Sequence, residues 1–228
     1  MRLTPEDHAR IRAAIEAAER RTSGEIFCVL ADRVSSYRDV SLGWATAAAL
    51  LLPLVLIPLG FEAAWLPGVA DSWQTAHLAA QQVEVGQTLA AYAVLQAAVL
   101  VAVFLITSIP AVNRWVTPGV VRQARVRRAA LQQFLAHGLQ DTEHRTGVLI
   151  FAALSDHQVE VVADQGIHSR VDADVWVEAV SDLIRALRQG RAADGFEAAI
   201  ARVGAVLAEH FPPGTANRDE LPNRLVHI

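Results

Sequence analysis

The sequence predicts an α/β protein, a small mixed-sheet α/β/α sandwich interrupted by a two-helix transmembrane hairpin. Three observations carry this. Two long runs, 44–60 and 89–109, contain no Arg, Lys, Asp, Glu or His. Short apolar runs of strand length stand on either side of them, and amphipathic stretches at helical spacing fill the rest. A helix rises about 1.5 Å per residue, so the second run can span a hydrocarbon core of about 30 Å. The first run is shorter, and Val40, Leu42 and Phe61 extend it.

Two buried core helices of a soluble protein are the alternative. The tryptophans argue against it. Trp44 and Trp115 flank one side of the oily runs, and Trp65 and Trp73 the other. Indole favours the headgroup level, where its ring is apolar and its N–H is wet, so these four read as an interface belt. Pro53 and Pro58 fall inside the first run, where a membrane helix tolerates proline better than a soluble one.

Charge sets the expected orientation. The connector, 61–90, carries Glu62, Asp71 and Glu84 but no Arg or Lys. The flank before the hairpin carries Arg2, Arg10, Arg12, Arg20, Arg21, Arg33 and Arg38. The flank after it carries Arg114, Arg122, Arg125, Arg127 and Arg128, with no acid before Asp141. Basic flanks stay cytoplasmic. The expected location is a bacterial inner (plasma) membrane, multi-pass, with both termini cytoplasmic. The formal net charge of −4 adds little, because the rule counts flanking cations.

The chain is 228 residues and 53% hydrophobic, which suits a membrane protein with one modest folded domain. Met1 to Arg12 is polar and lacks the oily stretch of a cleavable signal, so the first run is expected to direct insertion. Cys28 is the single cysteine; it fits a reducing compartment and reads as a small buried hydrophobe. All twenty basic residues are Arg, which we attribute to base composition.

In chain order, Thr4-Pro5-Glu6-Asp7 starts a helix, with Ile11, Ile15 and Ala18 on one face. Glu25 to Ala31 is a strand buried on both faces, and Asp32 ends it. After the hairpin, Thr117-Pro118 opens a helix with apolar positions Val121, Ala124, Leu131, Phe134 and Leu135. Gly147 to Leu154 and Gln158 to Asp164 form a strand hairpin about a turn at Ser155-Asp156-His157. Asp172 or Asp174 caps a helix with Val175, Trp176, Ala179, Val180, Leu183 and Leu187 on its core face. Asp194 and Glu197 read as a capping box for the last helix, which Pro212-Pro213-Gly214 stops. The resulting division is 1–38 and 117–212 for the sandwich, 39–116 for the hairpin and 213–228 for an irregular tail.

Several stretches resemble the TPM domain family, named after a thylakoid-lumen phosphatase-like protein, a photosystem II repair protein and a worm receptor accessory protein. They are Glu19-Arg20-Arg21-Thr22-Ser23-Gly24-Glu25-Ile26, Arg145 to Ile150, and Val159 to Ile167 followed by Asp172 and Trp176. Gly195-Phe196 and His210-Phe211-Pro212 also fit. The chain is most similar to a bacterial branch with an internal membrane hairpin. The resemblance implies a sandwich fold, in some members an acidic calcium or magnesium site or acid-phosphatase activity, and often a role in supporting membrane complexes.

The residues themselves suggest one chemical site. Asp32 and Asp164 end strands, and Asp172 and Asp174 begin a helix. Carboxylates gathered at strand ends suit a hard cation, Ca2+ or Mg2+, able to polarise a phosphoryl oxygen. Against this, Asp172 or Asp174 serves as a helix cap and the other two are ordinary loop acids. Ser155 and His157 lack the strand–turn–helix elbow of a serine nucleophile. His144, His157 and His168 are loop histidines without zinc-type spacing. No ionisable group interrupts the oily runs, so ion transport is unsupported. Arg122, Arg125 and Arg128 form a stripe that suits a membrane surface. A nucleic-acid surface would need a wider basic area with stacking aromatics. Two functions follow: a membrane-anchored, non-catalytic binding or membrane-complex maintenance module with a lipid and a membrane-protein partner, or a divalent-metal-dependent acid-phosphatase-like hydrolase.

Overall fold

The computed structural model describes residues 3–56, 58–59, 79–171, 173–213 and 220–228. These divide into two compact units: Met1–Ser36 with Gly119–Ile228, and Tyr37–Pro118.

The first unit is built on a four-stranded sheet of β1 (Glu25–Ala31), β2 (Gly147–Ala153), β3 (Gln158–Ala163) and β4 (Leu225–His227). The order is β3-β2-β1-β4; β1 runs parallel to β2 and β4, and β2 and β3 are antiparallel. The long apolar runs become the two central strands, buried at every residue. That is what a strand covered on both faces requires. The expected mixed-sheet sandwich is therefore present.

Alternation sends the side chains to two cores. Ile26, Cys28, Leu30, Val148 and Ile150 pack with Ile11 and Ile15 of α1 (Pro5–Glu19), Leu183 of α7 (Val177–Arg188) and Phe196, Ile200 and Val203 of α8 (Ala192–His210). Phe27, Val29, Leu149 and Phe151 face Val126, Ala130 and Phe134 of α5 (Gly119–Ala136). Cys28 is fully buried, and burial pushes its thiol well above the usual range.

Local signals explain the ends of α1. The Thr4 hydroxyl accepts from the Asp7 backbone N–H at 3.1 Å, and the Asp7 carboxylate accepts from the Thr4 N–H at 2.8 Å. This capping box satisfies two of the donors a helix start leaves open. The α1–α8 contact is close because α8 offers Gly204 there. A Cβ on Gly204 would lie 2.6 Å from the Ala18 Cβ.

Four expectations need correction. The stretch expected as an irregular tail contains β4, registered against Cys28, Val29 and Leu30. Asp194 and Glu197 do not cap α8; both carboxylates bind Arg10 of α1, at 2.8 Å each. Val175 is exposed, whereas Trp176, Ala179, Leu183 and Leu187 are buried as expected, together with Ala186. Leu131 and Leu135 are also exposed, because the buried stripe of α5 is Val126, Ala130 and Phe134.

The second unit holds α2 (Arg38–Leu56), α3 (Ala79–Ser108) and α4 (Pro110–Val116). Two stretches, Arg38–Leu56 and Leu89–Ser108, are long and apolar enough to cross a membrane. Only 18% and 6% of them, respectively, is buried. Their inner positions are small or polar: Ser41, Ala45 and Ala49 at four-residue spacing on α2, and Ala91 and Thr107 on α3. Leucines and valines face outward, among them Leu50, Leu54, Leu89, Val94 and Leu105.

One end of this unit is closed by a polar cluster. Asn113 Nδ2 donates to Ser41 Oγ at 2.9 Å and to the Thr107 carbonyl at 3.1 Å. Ser41 Oγ donates to the same carbonyl at 3.1 Å. Trp44 Nε1 reaches the Val116 carbonyl at 3.1 Å. These bonds satisfy polar groups that an apolar surrounding would otherwise leave stranded.

Gly204→Val tests the close approach of α1 and α8. Overpacking of this kind costs about 1–3 kcal/mol, and we expect a lower midpoint in thermal melting of the purified chain. An unchanged midpoint would mean that the two helices can part without loss.

Candidate functional site

Parallel pairing of β1 with β2 gives the sheet two chemically different ends. At the end where β1 starts, Glu19 is buried and its Oε1 accepts from the Ile26 N–H at 2.8 Å. The Thr22 hydroxyl donates to the Phe211 carbonyl at 2.7 Å and accepts from the Gly24 N–H at 3.1 Å. The Thr146 hydroxyl donates to the Ser23 carbonyl at 2.9 Å. Asp164 follows β3 at this same end. Its N–H donates to the Gly147 carbonyl at 2.9 Å, and its Oδ1 accepts from the Gln165 N–H at 2.6 Å, capping α6 (Gln165–His168). Its Oδ2 is buried without a hydrogen-bond partner among the described residues.

At the opposite end Asp32 follows β1. Its Oδ1 lies 2.9 Å from His227 Nε2 of β4. The Ser155 N–H donates to the Asp32 carbonyl at 3.1 Å, and the Ser155 hydroxyl donates to Asp156 at 3.2 Å.

The acids expected to share one crevice are therefore apart. The carboxyl-end rule holds for parallel strands. Because β3 runs antiparallel to β2, its carboxyl end lies beside Gly147 while that of β1 lies beside Ala153. At about 3.3 Å per residue, Asp32 and Asp164 stand roughly 20 Å apart. Asp174 is exposed in a 3-10 turn, Ala173–Trp176, and Asp172 lies outside the described residues. Among the described residues no group of three or more His, Cys, Asp or Glu is placed to hold a metal ion. Ca2+ or Mg2+ asks for about six oxygens, so the described acids do not fit one shared cation.

The model for the TPM domain family matches residues 99–206. That stretch of the chain is similar to a TPM domain. The NMR structure of BA42 protein from the psychrophilic bacterium Bizionia argentinensis is similar in fold, with a TM-score of 0.55 and 20% identity. The match covers 100% of this chain and 96% of that one. No curated protein matches.

The residues that carry the resemblance are largely architectural. A Cβ on Gly147 would lie 2.5 Å from the Leu139 carbonyl oxygen, and one on Gly166 2.5 Å from that of Arg145. Both glycines let backbone meet backbone. Glu19, Thr22 and Thr146 join α1, β1, β2 and the chain after α8. Sequence reasoning did not single out the Asp32–His227 contact, because nothing local to Leu225-Val226-His227 signals a strand.

The arginine stripe is also redistributed. Arg125 donates to Ser35 Oγ at 2.6 Å. Arg122 is half-buried, and its Nε–H finds no acceptor among the described residues. Arg127 and Arg128 are exposed. In the belt, Trp44 and Trp115 are exposed, and Trp65 and Trp73 lie outside the described residues.

Glu160 of β3 is half-buried on the α5 side of the sheet. Burial pushes its carboxyl above the usual range, and the nearby Arg127 pulls it partly back. The unfolded chain therefore ionises first as pH rises, and stability falls from the ordinary glutamate pKa, about 4.3, up to the raised folded value. Glu160→Gln removes that penalty. Melting midpoints of the variant and the parent should coincide near about pH 4 and separate in favour of the variant by about pH 7. Parallel profiles across that range would show that Glu160 is not penalised.

Proposed function

We propose that this protein is anchored in a bacterial inner membrane by α2 and α3, multi-pass, with both termini cytoplasmic. Its folded unit would serve there as a non-catalytic module that binds a membrane-protein partner and supports membrane complexes. The observation that carries this reading is the outward face of the helix pair. A core helix of a soluble protein is mostly buried, whereas α2 and α3 turn Leu50, Leu54, Leu89, Val94 and Leu105 outward. Monomeric soluble proteins rarely expose a continuous apolar area of that extent. The absence of Arg and Lys from 61–90, against basic flanks, supports the orientation.

The alternative is a divalent-metal-dependent acid-phosphatase-like hydrolase. The distance between Asp32 and Asp164 weighs against it, because phosphoryl chemistry of that kind needs its carboxylates on one ion.

Carbonate washing of membranes should leave the full chain in the pellet. A reporter fused after Ile228 should be active only when it is of a type that works in the cytoplasm. Release into the wash would end the anchoring reading; activity of a periplasmic reporter would reverse the orientation. For the chemistry, added calcium or magnesium should leave the melting midpoint of the detergent-purified chain unchanged, because only a ligand of the native state raises it. A raised midpoint together with cleavage of an aryl phosphate would favour the hydrolase.

A further inference from the structure

The outer face of α5 carries several exposed apolar residues. Val120, Ala124, Leu131 and Leu135 are exposed, at 79% for Val120 and 60% for Leu135. At 3.6 residues per turn these four fall within one narrow stripe, away from the buried Val126, Ala130 and Phe134. Exposed Arg127 and Arg128 border the stripe on its two sides. No acid occurs between Val85 and Gln140. Only Thr117 and Pro118 separate α4 from α5 in the chain.

We propose that this face of α5 docks flat on an anionic bilayer surface, with Leu131 and Leu135 dipping below the headgroups and Arg128 meeting lipid phosphates. The proposal rests on the anchoring reading above and adds a second contact to it. An apolar stripe edged by arginine is the pattern of helices that lie in the membrane interface. Arginine suits this role because its stem covers apolar surface while its head pairs with phosphate. Arg127 contributes less, because part of its field is spent on Glu160. The stripe proposed here differs from Arg122, Arg125 and Arg128, since Arg125 binds Ser35 and Arg122 is half-buried.

Spin labels test this in the full chain. Cys28 is buried and its thiol is held protonated, so an introduced cysteine is labelled selectively. Leu131→Cys and Leu135→Cys report the stripe, Arg185→Cys on α7 serves as an aqueous control, and Leu105→Cys reports the hairpin. Each chain is placed in nanodiscs of phosphatidylcholine alone or with phosphatidylglycerol. We expect the labels at 131 and 135 to gain oxygen accessibility and lose nickel-chelate accessibility in the anionic discs, with 185 unchanged. Adding Arg128→Gln should lower the docked-to-undocked ratio about fivefold, which equals about 1 kcal/mol for one basic residue at an anionic surface. If 131 and 135 behave like 185 in both lipids while 105 reports hydrocarbon, docking is wrong and anchoring stands. If 105 reports water, anchoring itself has failed and docking falls with it. Dipolar coupling between labels of two chains, equal in both lipids, would assign the stripe to a second copy and overturn the proposal.

Discussion

The pairing of β1 with β2 is the constraint on which the folded unit depends. Seven registered pairs, from Glu25 and Gly147 to Ala31 and Ala153, join two segments that the chain separates by a whole second unit. Loop closure costs only about 0.6 kcal/mol per doubling of length, so an insertion this long is tolerated if the seam itself is strong. The seam is strong because both strands are apolar at nearly every position and buried on both faces. Both cores contain residues from each strand. Opening the seam would therefore expose both cores together.

Side-chain hydrogen bonds fix the register at the end where the chain returns. Glu19 holds the Ile26 N–H, Thr146 holds the Ser23 carbonyl, and Thr22 ties in the chain after α8. A slip of one residue would turn every buried side chain of a strand to the opposite face. These contacts make such a slip costly, because Glu19 is a buried carboxylate that would lose its donor. The TPM-domain stretches are thus explained by the demands of a seam between distant segments. Asp32 and His227 add a smaller contact at the far end, which holds the three-residue β4 against β1.

The central strands were legible in the sequence because each is an unbroken apolar run bounded by turn residues. β4 was not, since three residues give no periodicity and only Leu225 is buried. The Asp32–Asp164 pocket failed for a reason already present in the sequence: a β2–β3 hairpin puts the end of β3 at the start of β2. The error lay in applying a rule for parallel strands to an antiparallel one. For α5, apolar residues outnumber the positions the core can take. Small Ala130 lets Phe134 and Val126 approach the sheet, and the phase that buries them leaves Leu131 and Leu135 outside. Asp194 and Glu197 carried a local signal for capping, but Arg10 lies close enough to take both carboxylates. A charge-assisted pair outcompetes a cap when the partner is already positioned by helix packing.

The two units obey opposite rules about what belongs inside. In the first, Phe27, Phe151, Phe196, Ile11, Ile26 and Ile150 are buried, while no described arginine is. In the second, Ser41, Ala45, Ala49, Thr107 and Asn113 are inside and the leucines are out. Water rewards the first arrangement by removing apolar area from it. It gives nothing to the second, where large apolar groups stay exposed and helices meet through small ones. Hydrocarbon reverses that preference: leucine costs nothing against lipid, small residues let backbones approach, and internal hydrogen bonds spare polar groups. If the proposed anchoring holds, a single solvent would leave one of the two units inside out. On the proposed reading each unit faces the medium for which its sequence is ordered.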